Sequence, residues 1–173
     1  MRAYYSDTFE LPLPAGHRFP MAKYRLLRER VAHELPGVEL HVPPAASDHV
    51  LAQAHDRQYI DRVQGGHLSA AEIRALGFPW SEAMVERSRR SCGATISALG
   101  HVLKNVDAGG IALNLAGGTH HAQPDGPQGF CVFNDIAVAI ASARAHGFDD
   151  PVLVVDTDPV SYTHLTLPTT SRV

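Results

Sequence analysis

The chain is poor in several things that would otherwise settle its class. Among 173 residues there are two cysteines, Cys92 and Cys131. Two cannot build a disulfide scaffold and are too few for a structural zinc knot. No apolar run approaches the roughly 18 residues that a membrane span requires. Excess basic charge is missing too: 15 Lys and Arg stand against 18 Asp and Glu, a net charge of -3. That excludes the concentrated basic surface of a nucleic-acid binder. The opening MRAYYSDTFELPLPAGHRF lacks the basic-then-apolar layout of a secretory leader. These features lead to the expectation of a cytoplasmic protein with reduced thiols, bound to neither membrane nor nucleic acid. What is present is a globular composition, 45% hydrophobic and 19% charged, and 11 histidines.

The apolar start Ala3-Tyr4-Tyr5 reads as an edge strand. Met21, Tyr24, Leu27, Val31 and Leu35 recur at three- and four-residue steps and predict an amphipathic helix over 20–35, with Pro20 in its first turn and Pro36-Gly37 as its stop. Ser47 is placed to cap a short helix through Ala54. Tyr59, Ile60 and Val63 share one side of a helix over 56–63, stopped by Gly65-Gly66. A long helix is predicted from Ser81 toward Val106, its small residues Gly93, Ala94, Ser97 and Ala98 suited to close packing. Ile111–Leu115 reads as a buried strand, and Asn134 as the cap of a helix over 135–146. Val152-Leu153-Val154-Val155 is a continuous apolar run, the pattern of a parallel strand covered on both faces. Strand, loop, helix, strand makes the class α/β.

Chemistry concentrates at the carboxyl ends of the two apolar runs, where open α/β sheets bind ligands. Gly117-Gly118-Thr119-His120-His121 follows the first. Adjacent histidines there are open to three readings: metal ligands, an acid/base pair, or solvated polar residues. Neighbouring side chains rarely both reach one metal, so the proton-handling dyad is the better chemical reading. Asp156-Thr157-Asp158 closes the second run. Its carboxylates at i and i+2 are expected on one face, where a metal ion, or a histidine to be oriented, offsets their mutual cost. Capping of a neighbouring element is the plainer alternative. Between the two lies Gly129-Phe130-Cys131-Val132-Phe133-Asn134-Asp135. Phe130 is a candidate channel wall, Phe133 a core residue, and Cys131 a small buried residue more readily than a nucleophile. His17, His33, His55, His67, His101 and His146 are assigned no chemistry by their spacing.

GGTHHAQPDGPQGFCVFNDIAVAI resembles the signature of the histone deacetylase superfamily, with wording closest to bacterial, class IV-like and acetoin-utilisation-type members. GHRFPMAKYRLLRERV and AHDRQYIDRV are similar to that family's N-terminal half, and the likeness runs from about Tyr4 to Asp158. The resemblance implies an arginase/deacetylase-like fold, a central parallel sheet flanked by helices, here incomplete. It implies zinc-dependent hydrolysis of an acetyl-lysine or related acetylamine, so the expected partner is an acetylated protein or a small acetylamine. By the same resemblance His121 is the principal general base and His120 its electrostatic or acid partner. Asp156 orients His120, Asp158 is a zinc ligand, and Gly129 and Phe130 wall the acyl-lysine channel.

The departure comes after Asp158. The family pattern continues Asp-x-Asp-Val-His, whereas Pro159 and Val160 follow here, so Val160 stands where a further zinc-ligating histidine is expected. Threonines also crowd the final residues. The expectation is therefore a deacetylase-like part over 1–158 and an atypical, non-native tail over 159–173. With the other zinc ligands and the family's catalytic tyrosine missing, the chain as written is expected to bind zinc weakly and to be inactive. A non-catalytic member that binds an acyl ligand or a protein is the competing reading.

Overall fold

The computed structural model describes residues 1–108 and 110–158; the expected atypical tail lies outside the described residues. Nine regular elements follow one another. They are β1 (Arg2–Tyr4), α1 (Ala22–Glu34), β2 (Glu39–His41), α2 (Asp48–Leu51), α3 (Arg57–Gly65), α4 (Ala70–Leu76), α5 (Glu82–Leu103), β3 (Ala112–Asn114) and α6 (Asp135–Ala145), with a single 3-10 turn at Val106–Ala108.

The strands form one parallel sheet in the order β2-β1-β3, with Ala3 opposite both Leu40 and Leu113. The opening Ala3-Tyr4-Tyr5 is thus not an edge strand. It is the central one, and Ala3 is fully buried. A run of three residues carries no signal for how many neighbours it will have, and β2 is too short to show a period. The parallel arrangement with helices between strands is the α/β class the sequence predicts.

Local chemistry explains most helix boundaries. Ser47 accepts from the Val50 amide and starts α2, Ser81 accepts from the Met84 amide and starts α5, and Asn134 accepts from the Ala137 amide and starts α6. Gly66, at φ 71°, closes α3 in the left-handed conformation. α4 is not among the predicted helices. Its signal was nonetheless present: Ser69 and Glu72 form a reciprocal capping box, each side chain bonding the other's backbone amide. α2 is shorter than expected and α5 ends at Leu103. In α1 only Val31 is buried, leaving Leu27 and Leu35 half exposed, so the predicted apolar face is only partly covered.

The main core gathers Leu51, Tyr59, Ile60, Val63, Leu76, Met84 and Val138 from α2, α3, α4, α5 and α6, together with Phe133 from the loop before α6. Tyr59 sits at its centre and donates its hydroxyl to the Val132 carbonyl at 2.6 Å. A second, smaller cluster joins Tyr4 of β1 to Ala94 and Ala98 of α5. The small residues of α5 serve the close approach expected of them. A Cβ on Gly93 would lie 1.8 Å from the Pro44 carbonyl oxygen. Arg87, on the same helix, is buried and donates to the carbonyls of Ser6 and Phe9, with its guanidinium over the Tyr24 ring.

One expected element differs. Val152–Val155 is not a strand buried on both faces. It lies outside any strand, with Leu153 86% and Val155 72% exposed. One side of it lines a cavity with Ala98 and Leu99 of α5, Ala112 of β3 and Ile136 of α6. The residues have strand composition, but a strand exists only through a ladder, and this segment pairs with no described strand. β3 is therefore an edge, and its burial is partial rather than complete.

Candidate active site

The loop after β3 carries the tandem histidines, and polar groups from three elements hold it. The Ala116 amide donates to Asn114 Oδ1, and Ser91 of α5 donates to the Ala116 carbonyl. Asn134 Nδ2 donates to the His120 carbonyl at 3.1 Å while its Oδ1 caps α6. The Asn134 amide in turn donates to Nε2 of His55, whose Nδ1 faces the Gln123 and Pro124 carbonyls. Carbonyls only accept, so His55 carries its proton on Nδ1 and is neutral. Burial pushes its pKa down from 6.5. His55 is a structural brace for the loop, in keeping with its having no chemistry assigned from spacing.

The two candidate proton-handling rings lie together, with centroids 4.3 Å apart. His120 Nδ1 is 3.0 Å from the Gly118 carbonyl oxygen, and its Nε2 is 3.3 Å from Asp156 Oδ2. Both ring nitrogens thus face acceptors. When the ring carries both protons, His120 and Asp156 form a partly buried ion pair. Asp156 Oδ1 accepts the backbone amide of Asp158 at 3.0 Å. The structure therefore brings His120, His121 and Asp156 to one place, with Asp158 adjacent and exposed.

Gly129 and Phe130 stand against the same rings. A Cβ on Gly129, which has φ 56°, would meet the His121 ring at 3.3 Å, so space and backbone conformation both favour glycine. Phe130 is the one non-glycine among the described residues with positive φ, 67°. The amides of Gly129 and Phe130 donate to the Ala75 and Leu76 carbonyls at the end of α4, which pins this turn. The Phe130 ring packs on Phe19 and Phe78, centroids 5.1 and 5.0 Å away, with the Arg18 guanidinium over its face. Phe130 is partly buried, unlike Phe133, which is core. His17 also joins this wall. It contacts the rings of Phe78 and Phe130, accepts the Phe19 amide at Nδ1 and faces the Gly77 carbonyl with Nε2. No spacing signal marked it. Cys131 is buried and its thiol is pushed up to about 11 by burial, so it is no nucleophile at neutral pH.

A zinc ion held for catalysis takes three protein ligands. Among the described residues, no group of three or more His, Cys, Asp or Glu side chains is placed to hold a metal ion. Asp158 is one candidate donor, so the described residues do not fit a complete catalytic zinc site.

Beyond the carboxyl end of β3 the parallel sheet thus presents an acid-paired histidine dyad beside an aromatic wall, on an α/β domain. Comparison with known proteins gives the family. The histone deacetylase domain matches residues 17–159, and the chain belongs to that family. It is 36% identical to the histone deacetylase-like amidohydrolase of Pseudomonas aeruginosa over 85% of this chain and 39% of that protein. It is 31% identical to the acetoin utilization protein AcuC of Staphylococcus aureus over 82% of this chain and 38% of that protein. The crystal structure of an HDAC homolog complexed with SAHA superposes with a TM-score of 0.67 at 28% identity, covering 85% of this chain and 41% of that one. The chain thus spans less than half the length of these relatives. Its likeness is to the bacterial acetoin-utilisation type. No helix among the described residues is long and apolar enough to cross a membrane.

Proposed function

We propose that this chain carries the proton-handling and channel-wall part of a deacetylase centre that hydrolyses the N-acetyl bond of an acetyl-lysine side chain or a related acetylamine. The observation that carries the reading is the ring of His120 seated between the Gly118 carbonyl and Asp156, beside His121. In this reading His121 is the general base. It takes a proton from the water that attacks the acetyl carbonyl carbon. His120, oriented by Asp156, is its electrostatic or acid partner and supports protonation of the departing amine. The C–N bond breaks, and acetate and the free amine leave. Gly129 and Phe130 flank the alkyl chain of the substrate, which an aromatic wall suits better than a polar one.

We further propose that the chain by itself is not a competent hydrolase. The family resemblance calls for zinc. Asp158 is one matched donor, and Val160 replaces the next. The same donor shortage favours a second reading, a member of the fold that binds an acyl ligand or a protein without catalysis. Residues 159–173 are proposed as an atypical tail that does not belong to the deacetylase part, and the compartment as cytoplasmic.

Zinc titration by calorimetry, run beside an acetyl-lysine hydrolysis assay, tests the first part. The expected result is no tight stoichiometric site and no turnover; an occupied site at sub-micromolar zinc overturns it. A chimera joining residues 1–158 to the remainder of the Pseudomonas amidohydrolase tests the catalytic roles. There, His121→Ala should cost about 10²–10⁴-fold in hydrolysis with zinc content unchanged. Loss of zinc from that variant would contradict the assignment of His121, and a chimera that binds acetylated peptide without turnover would support the binding reading.

A further inference from the structure

Asp135 is among the most deeply buried polar side chains of the molecule, 1% exposed. As the first residue of α6 it has an ordinary explanation, since an acidic group suits the first turn of a helix. Its oxygens are engaged elsewhere. Oδ1 accepts the Thr119 amide at 2.7 Å and faces the Thr119 hydroxyl at 2.8 Å. Oδ2 accepts the Gly118 amide at 3.1 Å and the Thr95 hydroxyl at 2.6 Å. Thr95, on α5, receives in turn an N–H of Asn114 from β3 at 2.8 Å. The loop presses directly on the carboxylate: a Cβ on Gly117 would lie 2.7 Å from Oδ2.

The peptide between Gly118 and Thr119 is the link to the site. Its N–H points at Asp135, and its carbonyl accepts from His120 Nδ1 at 3.0 Å. A carboxylate bonded to the N–H end of a peptide polarises the unit and strengthens its carbonyl as an acceptor, the more so where water is scarce. We propose that Asp135 is a positioning residue for the tandem histidines, holding the ring of His120 toward Asp156 through the Gly118–Thr119 peptide. Asn134 reinforces it by gripping the His120 carbonyl one residue further along. The proposal rests on reading His120 and His121 as the proton-handling pair, but it concerns how the ring is held and can be tested without turnover.

The test is NMR of the full chain labelled with 15N, at neutral pH, where His55 keeps its neutral, fold-bracing form. Solvent exchange is read at three protons: the Thr119 amide, His120 Nδ1–H and His55 Nδ1–H. The last is held by the Gln123 and Pro124 carbonyls and makes no bond to Asp135, so it reports on the fold alone. Asp135→Asn keeps the size of the side chain but turns an amide N–H against the loop's donors. The expected result is exchange about tenfold faster or more at both Thr119 and His120, with His55 unchanged. Faster exchange at Thr119 with His120 unchanged would reduce Asp135 to a loop anchor and overturn the proposal. Should His55 lose protection as well, the variant has unfolded. Thr95→Val then decides, because it removes the hydroxyl donor and keeps the carboxylate. A smaller acceleration at His120 in that variant supports the proposal, and none overturns it. Failure of the hydrolytic reading would appear instead as undiminished turnover in the His121→Ala chimera, a readout separate from these exchange rates.

Discussion

Acidification should loosen this protein through one residue, His55. The ring is 4% exposed and packs edge-on against Phe133, centroids 5.4 Å apart. Its Nε2 receives the Asn134 amide at 2.9 Å. Burial disfavours the charged ring and lowers its pKa from 6.5, and a proton added at Nε2 would in addition set two donors face to face. The sign follows from linkage. In the window between that lowered value and 6.5 the unfolded chain binds the proton and the folded chain does not. The stability supplied by neutral His55 is therefore complete above about pH 6.5 and declines as pH falls toward the folded-state value, by at most about 1.4 kcal/mol per pH unit for one proton. Urea-unfolding midpoints measured across that window give the slope. His55→Gln carries an amide oxygen able to accept the Asn134 N–H but does not titrate. It should be less stable at neutral pH and nearly flat where the native chain slopes. An equal slope in both proteins, or a native chain that grows more stable on acidification in that window, would refute the reasoning.

Two substitutions probe the packing that places the site. Gly93→Ala puts a methyl 1.8 Å from the Pro44 carbonyl oxygen, a backbone atom that cannot swing aside; α5 must move away, and a loss of about 1–3 kcal/mol in thermal or urea unfolding is expected. Tyr59→Phe strips the hydroxyl that satisfies the buried Val132 carbonyl and should cost about 1–3 kcal/mol in the same measurement, with far-UV circular dichroism unchanged.

Much of this arrangement was legible in the sequence because local chemistry dictated it. Ser47, Ser81 and Asn134 are caps by residue type and cap their helices in the structure. The histidine loop could be found because glycines follow an apolar strand. What escaped depended on partners distant in the chain. Ala3 belongs to the central strand only because β2 and β3 both reach it. Val152–Val155 has the composition of a strand and pairs with no described one. Arg87 lies in a helix whose sequence gives no reason to bury a charge, and the carbonyls that receive it come from residues 6 and 9. α4 is a different case, since its capping box at Ser69 and Glu72 is itself a signal carried by the sequence. Asp135 stands at a helix start, where an acid needs no second purpose, and only the fold shows its oxygens turned to the loop beside it.

The wall opposite the histidines has a consequence of its own. Phe130 holds a backbone conformation that side-chain-bearing residues rarely adopt, and α4 fastens it there through the Ala75 and Leu76 carbonyls. At Gly77, just past that helix, a Cβ would come within 2.9 Å of the Phe130 ring. The placement of the Phe130 ring is thus governed from outside the signature motif, by a seven-residue helix and the glycine that ends it. In the proposed reading of Phe130 as a channel wall, relatives that differ in that short helix would differ in the girth of the acyl group they admit, even with identical histidines.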